Sequence, residues 1–287
     1  MKTTDLFRRK SVLSMEVFSP TRTTPVEAIY QTLEQLQSLQ PDFISVTYNS
    51  TDLRDVNPTL DIAALIKHQY GIESVAHLPC SRLTKEALLQ QMHMLKTQGI
   101  ENILALRGDL DEAMIPKTDF PYASDMIAFI REHGDFNIIA ACYPEGHPES
   151  DGLINDIWNL RRKVDAGASQ LITQLFFSNR YFYAFRNRAV MAGIHVPIEA
   201  GILPIVSVKQ MEHLQKRCGV KVPRPLFRLL DKYGDNPDDM REAGIEYAIT
   251  QINDLLAQGV DGIHLYTMNN PYVAERICAF IRDFAAA

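Results

Sequence analysis

A cation, a glycine and a carboxylate follow directly on one short apolar run of the chain. The run covers residues 102–106, and it is followed by Arg107, Gly108 and Asp109. A continuous apolar segment of this length is typical of a parallel strand buried on both faces, which would deliver the three residues to one rim of a sheet. The alternative is a surface turn with a local ion pair, and one segment does not decide between them.

The same pattern recurs at the ends of the other apolar runs. Parallel strands bring their carboxyl ends to a common edge, so polar and aromatic residues at those ends are expected to converge. We therefore predict a functional pocket rather than a set of unrelated turns. Its candidate residues are Glu16, Thr47, Tyr48, His77, Arg107, Asp109, Tyr143, His147, Gln174 and Tyr266.

Several kinds of chemistry lack their sequence signal in this chain. There is no Gly-x-Ser-x-Gly nucleophile elbow, and no lysine stands at a predicted strand end, which argues against a Schiff-base aldolase. His77, His147 and Asp109 are possible metal ligands, although neither His-x-His nor His-Glu-x-x-His spacing occurs. A metal-dependent barrel hydrolase therefore stays as a second hypothesis.

A cofactor-binding pocket fits the remaining residues. Arg107 and Lys163 can meet a pyrophosphate, since both are cations. Asp156 and Asn159 can hold ribose hydroxyls, and they share one flank of a predicted helix with Lys163 at i, i+3 and i+7. Glu16 can exchange a proton.

Eight strands, each followed by a helix, must position these residues. The strands are predicted over 12–18, 43–48, 74–78, 102–106, 137–143, 170–174, 198–203 and 262–267. The helices are predicted over 25–39, 57–70, 84–99, 122–133, 152–166, 179–192, 206–217, 225–232, 237–258 and 272–285. This alternation predicts an α/β protein with the (β/α)8 TIM-barrel fold, as a single domain over 1–287. An open doubly wound sheet is less favoured, because neither Gly-x-Gly-x-x-Gly nor a P-loop motif is present.

Composition is that of an ordinary globular chain of 287 residues, with 46% apolar and 22% charged residues. The net charge of -6 argues against a nucleic-acid surface. The four cysteines are scattered without Cys-x-x-Cys spacing, so neither a disulfide framework nor structural zinc is expected. The first ten residues lack the apolar core of a secretory signal, and no run is long enough to span a bilayer. We expect a cytoplasmic homo-oligomer that binds neither nucleic acid nor membrane.

At this point the chain resembles a known family, the methylenetetrahydrofolate reductases of bacterial type, which consist of the catalytic barrel only. The resemblance lies in motifs that occur in the order of the family and cover nearly the whole chain. The motifs are Met15-Glu-Val-Phe-Ser-Pro-Thr-Arg22, Ile44-Ser-Val-Thr-Tyr48, Ala76-His-Leu-Pro-Cys80, Leu104-Ala-Leu-Arg-Gly-Asp109, Tyr122-Ala-Ser-Asp125, Ala141-Cys-Tyr-Pro-Glu-Gly-His-Pro-Glu149, Arg162-Lys-Val-Asp-Ala-Gly-Ala168, Ile172-Thr-Gln174 and Gly201-Ile-Leu-Pro204.

The resemblance implies an FAD-dependent enzyme. NAD(P)H, either NADH or NADPH, would reduce the flavin and leave, and methylenetetrahydrofolate would then take the hydride. The implied cofactor contacts are Thr47, Tyr48, Ser50, His77, Arg107, Gly108, Asp109, Tyr122, Ala123, Tyr143, His147, Asp156, Asn159, Arg162 and Lys163. Thr47 and Gln174 match positions near the nicotinamide.

The resemblance also implies the catalytic and substrate-binding residues. Glu16 is the implied general acid that opens the imidazolidine ring of the folate, and Asp109 is implied beside the flavin and the pterin. The implied substrate-binding residues are Gln174, Gln210 and Tyr266.

The chain departs from the pattern of the family at Ser19, Ala200, Leu214 and Asn270. The last of these replaces an arginine that contacts substrate in some members. A flavin- or folate-binding protein without turnover is therefore a third hypothesis.

Overall fold

Within residues 1–20, 25–48, 58–108 and 117–286, which the computed structural model describes, the chain forms a closed barrel of eight parallel strands. Each strand pairs with the next, and the last pairs with the first. The predicted (β/α)8 fold is confirmed. The strands are β1 (Val12–Val17), β2 (Phe43–Val46), β3 (Glu73–Pro79), β4 (Asn102–Leu106), β5 (Asn137–Cys142), β6 (Gln170–Thr173), β7 (Ile198–Ile202) and β8 (Gly262–Tyr266).

Helices surround the barrel and connect its strands. The described helices are α1 (Val26–Gln37), α2 (Pro58–Tyr70), α3 (Lys85–Thr97), α4 (Ala123–His133), α5 (Leu153–Ala166), α6 (Asn179–Met191), α7 (Val208–Cys218), α8 (Arg224–Tyr233), α9 (Pro237–Ala257) and α10 (Pro271–Ala286). Helix α3 is capped by Thr84, whose hydroxyl accepts the Ala87 N–H at 3.2 Å. None of the described helices has the length and hydropathy needed to cross a membrane.

Two apolar layers lie on either side of the barrel wall. The larger one lies between the outer face of the strands and the helices, and it includes Met15 and Val17 of β1. The smaller one fills the inside of the barrel with Val12, Phe43, Val75, Leu104, Ile139 and Ile172. Because successive side chains of a strand alternate between faces, Ser14 and Glu16 point inward on the same side as Val12.

The amino-terminal residues cover one end of the barrel, an arrangement that local sequence patterns did not predict. Thr3–Arg8 forms a 3₁₀ helix, and Leu6 and Phe7 pack against the inner apolar layer. The Thr3 hydroxyl donates to Gln170 Oε1 at 2.8 Å, and its N–H donates to Asn102 Oδ1 at 2.8 Å. A short polar segment carries no apolar period, so only its tertiary contacts define it.

Six of the eight predicted strands run one or two residues too far at their carboxyl ends, whereas β4 matches its prediction and β3 extends one residue beyond its prediction at each end. Thr47, Tyr48, Tyr143 and Gln174 lie just beyond strands β2, β5 and β6. The backbone leaves the ladder at these points to enter the loops, as where the Gln174 N–H donates back to the Cys142 carbonyl at 2.7 Å. The polar groups thus lie at the rim, as predicted, but on loops rather than on strands.

Candidate active site

Glu16, near the carboxyl end of β1, lies at the centre of the rim. Its side chain is 14% exposed, and two imidazoles face it from other strands. Oε2 is 3.7 Å from Nε2 of His77 on β3 and 4.0 Å from Nε2 of His264 on β8. A carboxyl group between two nitrogens and in partial contact with solvent is suited to gaining and losing a proton.

His77 is a neutral imidazole at neutral pH. Burial lowers the pKa of His77 to about 4, although the nearby Glu16 acts in the opposite direction. Its Nε2 has no hydrogen-bond partner in the part of the chain that the structure describes. A buried polar atom of this kind is costly unless a ligand satisfies it, so His77 is available to a bound molecule.

Beneath Glu16, four buried polar residues form a hydrogen-bonded cluster that local sequence patterns did not predict. The Ser14 hydroxyl lies 2.6 Å from Oε1 of Glu199 and 2.7 Å from Nδ1 of His264. Gln170 Nε2 donates to Oε2 of Glu199 at 2.7 Å. Gly262 leaves room for this carboxyl, since a Cβ there would lie 2.9 Å from Glu199 Cγ.

Glu199 exchanges its proton close to neutral pH. Its side chain is fully buried on β7, and this burial raises the pKa of Glu199 to about 7. The hydrogen bonds from Ser14 and Gln170 and the nearby His264 limit the increase. Both its protonated and its ionised form are therefore accessible under ordinary conditions.

Glu199→Gln is expected to change how stability depends on pH. The folded protein holds the Glu199 proton up to a pKa of about 7, against an ordinary value of 4.5, so folding takes up a proton between these values. The free energy of unfolding therefore falls as pH rises through this window, by up to about 3 kcal/mol from this group. The amide lacks this contribution. Urea denaturation of the purified protein at pH 5 and pH 8 should show that the variant gains stability relative to wild type at the higher pH.

The exposed Glu132→Gln on α4 is the matched control and should keep a constant difference from wild type. A constant difference for Glu199→Gln as well would contradict the assignment of a raised pKa to this carboxyl.

Arg107, directly after β4, forms an ion pair with a carboxylate in the loop that follows β5. Its guanidinium donates to both oxygens of Glu149 at 2.6 and 2.7 Å. The Glu149 side chain is 61% exposed, so this ion pair adds little to stability and can be exchanged for another anion. Gly108 follows with a φ of 85°, and a Cβ there would lie 2.7 Å from Pro79 Cβ. Glycine is thus required for the chain to turn at this rim position.

Helix α5 carries a second cation towards the same region. Lys163 is half-buried, donates to the Ala141 carbonyl at 2.9 Å, and lies 6.0 Å from the Tyr143 ring centre. Burial lowers the pKa of Lys163. Asp156 is buried on the same flank, and burial raises its pKa while a hydrogen bond from the His147 backbone opposes this. Asp156 therefore helps to hold the loop after β5.

A cleft of about 290 Å³ opens beside that loop. Tyr143, His147 and Gln174, three of the predicted residues, line it. The rings of Tyr143 and His147 meet edge to face with centres 4.7 Å apart. His147 Nδ1 accepts the Glu149 N–H at 3.1 Å, which leaves Nε2 as the donor of this imidazole.

The three predicted substrate-binding residues, Gln174, Gln210 and Tyr266, make local hydrogen bonds. Gln174 Oε1 accepts the Leu175 N–H, and Gln210 Oε1 accepts the Val206 N–H. The side-chain amide nitrogens of both remain as donors. The Tyr266 hydroxyl donates to the Thr173 carbonyl at 2.7 Å, and burial raises its pKa well above the usual value. The hydroxyl of Tyr266 therefore links the carboxyl ends of β8 and β6.

Several predicted residues lie around this centre or outside the described part of the chain. Thr47 Oγ1 accepts the Ser19 N–H at 3.2 Å and so ties the ends of β1 and β2 together. Asn159, Arg162 and Tyr122 are exposed, Ala123 is buried at the start of α4, and Tyr48 is half-buried. Ser50 and Asp109 fall outside the residues that the structure describes.

His264 and Glu199 had a detectable signal in the sequence. His264 stands two residues before Tyr266, so strand alternation puts it on the same inward face. Glu199 is a lone carboxylate inside an apolar strand, which is costly unless it is paired or functional. As for the metal hypothesis, no group of three metal-ligating side chains occurs among the described residues, and Asp109 lies outside them.

The fold and the rim define the class of protein. It is a (β/α)8-barrel enzyme that keeps a carboxylic acid, imidazoles and cations at the carboxyl ends of its strands. The family model described as methylenetetrahydrofolate reductase matches residues 2–282. The chain belongs to the methylenetetrahydrofolate reductase family, and it is an oxidoreductase of one-carbon metabolism.

Individual relatives agree with this assignment. The chain is 35% identical over 266 residues to the 5,10-methylenetetrahydrofolate reductase of Pectobacterium carotovorum subsp. carotovorum, covering 93% of this chain and 88% of the relative. It is also 35% identical over 268 residues to the enzyme of that name from Escherichia coli K12, covering 93% and 89%.

A solved structure supports the fold alone. It is an uncharacterized protein from Clostridium thermocellum, described as binding two copies of 5-methyl-5,6,7,8-tetrahydrofolic acid. It matches with a TM-score of 0.70 at 15% identity, covering 99% of both chains.

Proposed function

We propose that this protein reduces 5,10-methylenetetrahydrofolate to 5-methyltetrahydrofolate with NAD(P)H, through bound FAD. The observation that carries the proposal is the family match over residues 2–282, together with relatives of that name over most of the chain. When bound, FAD supplies hydride transfer from NAD(P)H to the folate. The residues of the chain bind, orient and move protons.

The polar groups of the rim fit a flavin dinucleotide. Lys163 and Arg107 are cations suited to its two phosphates. The buried Nε2 of His77 has no hydrogen-bond partner among the described residues, so it can bond to a ligand. The other proposed contacts, carried over from the motifs, are Thr47, Tyr48, Ser50, Gly108, Asp109, Tyr122, Ala123, Tyr143, His147, Asp156, Asn159 and Arg162.

Glu16 is the proposed general acid of the folate half-reaction. Protonating one nitrogen of the imidazolidine ring breaks its bond to the bridging carbon and leaves a cationic iminium at the other nitrogen, which can accept a hydride. The position of Glu16 between two imidazoles, with its side chain 14% exposed, supports this role. Asp109 would add a negative charge that favours the iminium.

Gln174, Gln210 and Tyr266 are the proposed substrate-binding residues. The side-chain amide groups of the two glutamines retain N–H donors, which suit the polar edge of a pterin. Tyr266 would act mainly through its ring, since its hydroxyl is held by the Thr173 carbonyl.

The direct test is the near-ultraviolet and visible spectrum of purified protein before and after anaerobic addition of NADH or NADPH. We expect oxidised flavin bands that bleach with the nucleotide and return when methylenetetrahydrofolate is added. A colourless protein that stays colourless after incubation with FAD would be compatible with the barrel fold but would contradict the proposed function. Flavin bands that neither nucleotide bleaches would favour a binding protein without turnover, and stoichiometric zinc without flavin would favour a hydrolase.

A further inference from the structure

A chain of buried polar groups connects the inside of the barrel with Glu16. From Glu199 the contacts run through the Ser14 hydroxyl to Nδ1 of His264, and Nε2 of His264 faces Glu16. We propose that Glu199, Ser14 and His264 form a proton relay that loads Glu16 with its acid proton. This inference deepens the proposed function and rests on the role of Glu16 given there.

The hydroxyl of Ser14 limits the relay to two arrangements. Its oxygen lies 2.6 Å from Glu199 and 2.7 Å from Nδ1 of His264, but it carries a single proton. It can donate to only one neighbour, so the other neighbour must donate to it. The protonation of Glu199 and the tautomer of His264 are therefore linked.

In the first arrangement, Glu199 is ionised and accepts the Ser14 O–H. His264 then donates its Nδ1–H to Ser14 and presents an unprotonated Nε2 to Glu16. That lone pair favours the protonated form of Glu16, which is the form that an acid requires. In the second arrangement, Glu199 is protonated and donates to Ser14, Ser14 donates to Nδ1, and the Nε2–H favours an ionised Glu16.

Three proton transfers convert the second arrangement into the first. The proton of Glu199 moves to Ser14, that of Ser14 moves to Nδ1 of His264, and that of Nε2 moves to Glu16. One carboxyl loses a proton and the other gains one, without oxidation or reduction, and His264 holds the same number of protons before and after. A solvent proton restores the relay after Glu16 has protonated the substrate. The gap of 4.0 Å between Nε2 and Glu16 closes to a hydrogen bond when Glu16 moves by about 1 Å.

Ionisable side chains face both carboxyl groups of the relay. His264 faces Glu199, with Asp42 acting from farther away, and its other neighbours Ser14 and Gln170 are neutral. Facing Glu16 are His77, His264 and Tyr266. His77 stays neutral because burial lowers its pKa to about 4, and burial raises the pKa of Glu199 to about 7.

Glu199→Gln tests the relay, because it preserves the shape of the side chain and removes the exchangeable proton. Gln170 donates to Oε2 of Glu199, so the amide oxygen of the variant takes that place and its NH₂ group faces Ser14. Ser14 must then donate to His264, which holds the Nε2–H tautomer and favours an ionised Glu16. We expect the alkaline limb of the folate half-reaction to move down by about one pH unit, a roughly tenfold lower rate above the limb. Flavin reduction by NADH should be unchanged.

Ser14→Ala distinguishes a relay from a merely structural role. It interrupts the route, so adding Glu199→Gln to Ser14→Ala should not move the pH profile further. Additive shifts in the double variant, or an unshifted profile in Glu199→Gln, would overturn the relay. Thr3→Val is the matched control, since Thr3 hydrogen-bonds Gln170 in the same buried network but outside the route. Its profile should match wild type.

Two outcomes separate the relay from the proposed function. If the wild-type protein does not reduce the folate with NADH or NADPH, both the proposed function and the relay are contradicted. If the wild type turns over and the pH profile of Glu199→Gln is the same as that of the wild type, only the relay is contradicted. If Glu199→Gln does not fold, infrared spectra of the flavin-free wild type decide. The relay requires a protonated-carboxyl C=O band that titrates near neutral pH and shifts in Ser14→Ala, and the absence of that band overturns it.

Discussion

Glu16→Gln is expected to slow hydride transfer to methylenetetrahydrofolate by about 10³-fold, since a positioned general acid contributes roughly 10² to 10⁴-fold. Glutamine keeps the length and the hydrogen-bonding shape of the side chain but has no proton to give to the imidazolidine ring. Flavin reduction by NAD(P)H needs no such proton from Glu16 and should retain most of its rate. Anaerobic stopped-flow absorbance of the flavin measures the two half-reactions separately.

The same substitution at the exposed Glu132 on α4 is the control, and both half-reactions should run there at the wild-type rate. Equal losses in the two half-reactions of Glu16→Gln would reject the assignment of Glu16 as the acid. They would point instead to a flavin that is displaced or no longer bound.

Lys163→Met should weaken FAD binding by about 10- to 150-fold, the loss expected for a hydrogen bond from a charged group worth about 1.5–3 kcal/mol. Lys163 is half-buried, and its described hydrogen bond uses one of the three donors of its ammonium group, so two remain for a phosphate. Burial also lowers its pKa, which means that the charge costs free energy in the flavin-free protein. The flavin-free variant should therefore be at least as stable as wild type. Fluorescence titration with FAD and urea denaturation measure the two effects.

Lys96→Met on α3 is the matched control, because Lys96 is exposed in the last turn of that helix. It should change neither the affinity for FAD nor the stability of the flavin-free protein by a large amount. A Lys163→Met protein that binds FAD as tightly as wild type would show that Lys163 is a structural lysine. Its contact with the Ala141 carbonyl would then be its whole role.

Arg107 is expected to contribute less than Lys163 to the same affinity. Its guanidinium already has a carboxylate partner in Glu149, and a phosphate would have to replace that exposed ion pair. The replacement costs little, because such pairs are worth about 0–1 kcal/mol, but the net gain is reduced by the same amount.

Local sequence patterns predicted the strand order and most element positions well. The strands are nearly continuous apolar runs, because both of their faces are buried in a barrel, and the caps and glycines between them mark the ends of helices. The 3₁₀ helix of Thr3–Arg8 was not predicted, since it depends on contacts with Asn102 and Gln170 about a hundred or more residues away. Strand ends were predicted too long where the first loop residue is β-branched or aromatic, as at Thr47 and Tyr143.

The buried cluster of Ser14, Glu199 and His264 shows most clearly what local sequence patterns do not predict. Ser14, Glu199 and His264 come from strands that are far apart in the sequence, and each stands alone among apolar neighbours. Pairing of β1 with β8 sets Ser14 opposite His264, and pairing of β7 with β8 sets Glu199 opposite Gly262, where a side chain would block it. No short motif encodes these neighbours.

The sequence alone determined the barrel and the family, because apolar period, turn residues and ordered motifs are local properties of the chain. Tertiary structure decided which residues of the rim face one another. Closure of the sheet brings β8 against β1, so His264 comes to lie beside Glu16 and Ser14 and in contact through Ser14 with Glu199. It also withdraws Glu199 and His77 from water, and that desolvation changes their pKa values in opposite directions. Burial and register are properties of the assembled barrel, and no segment of the chain possesses them by itself.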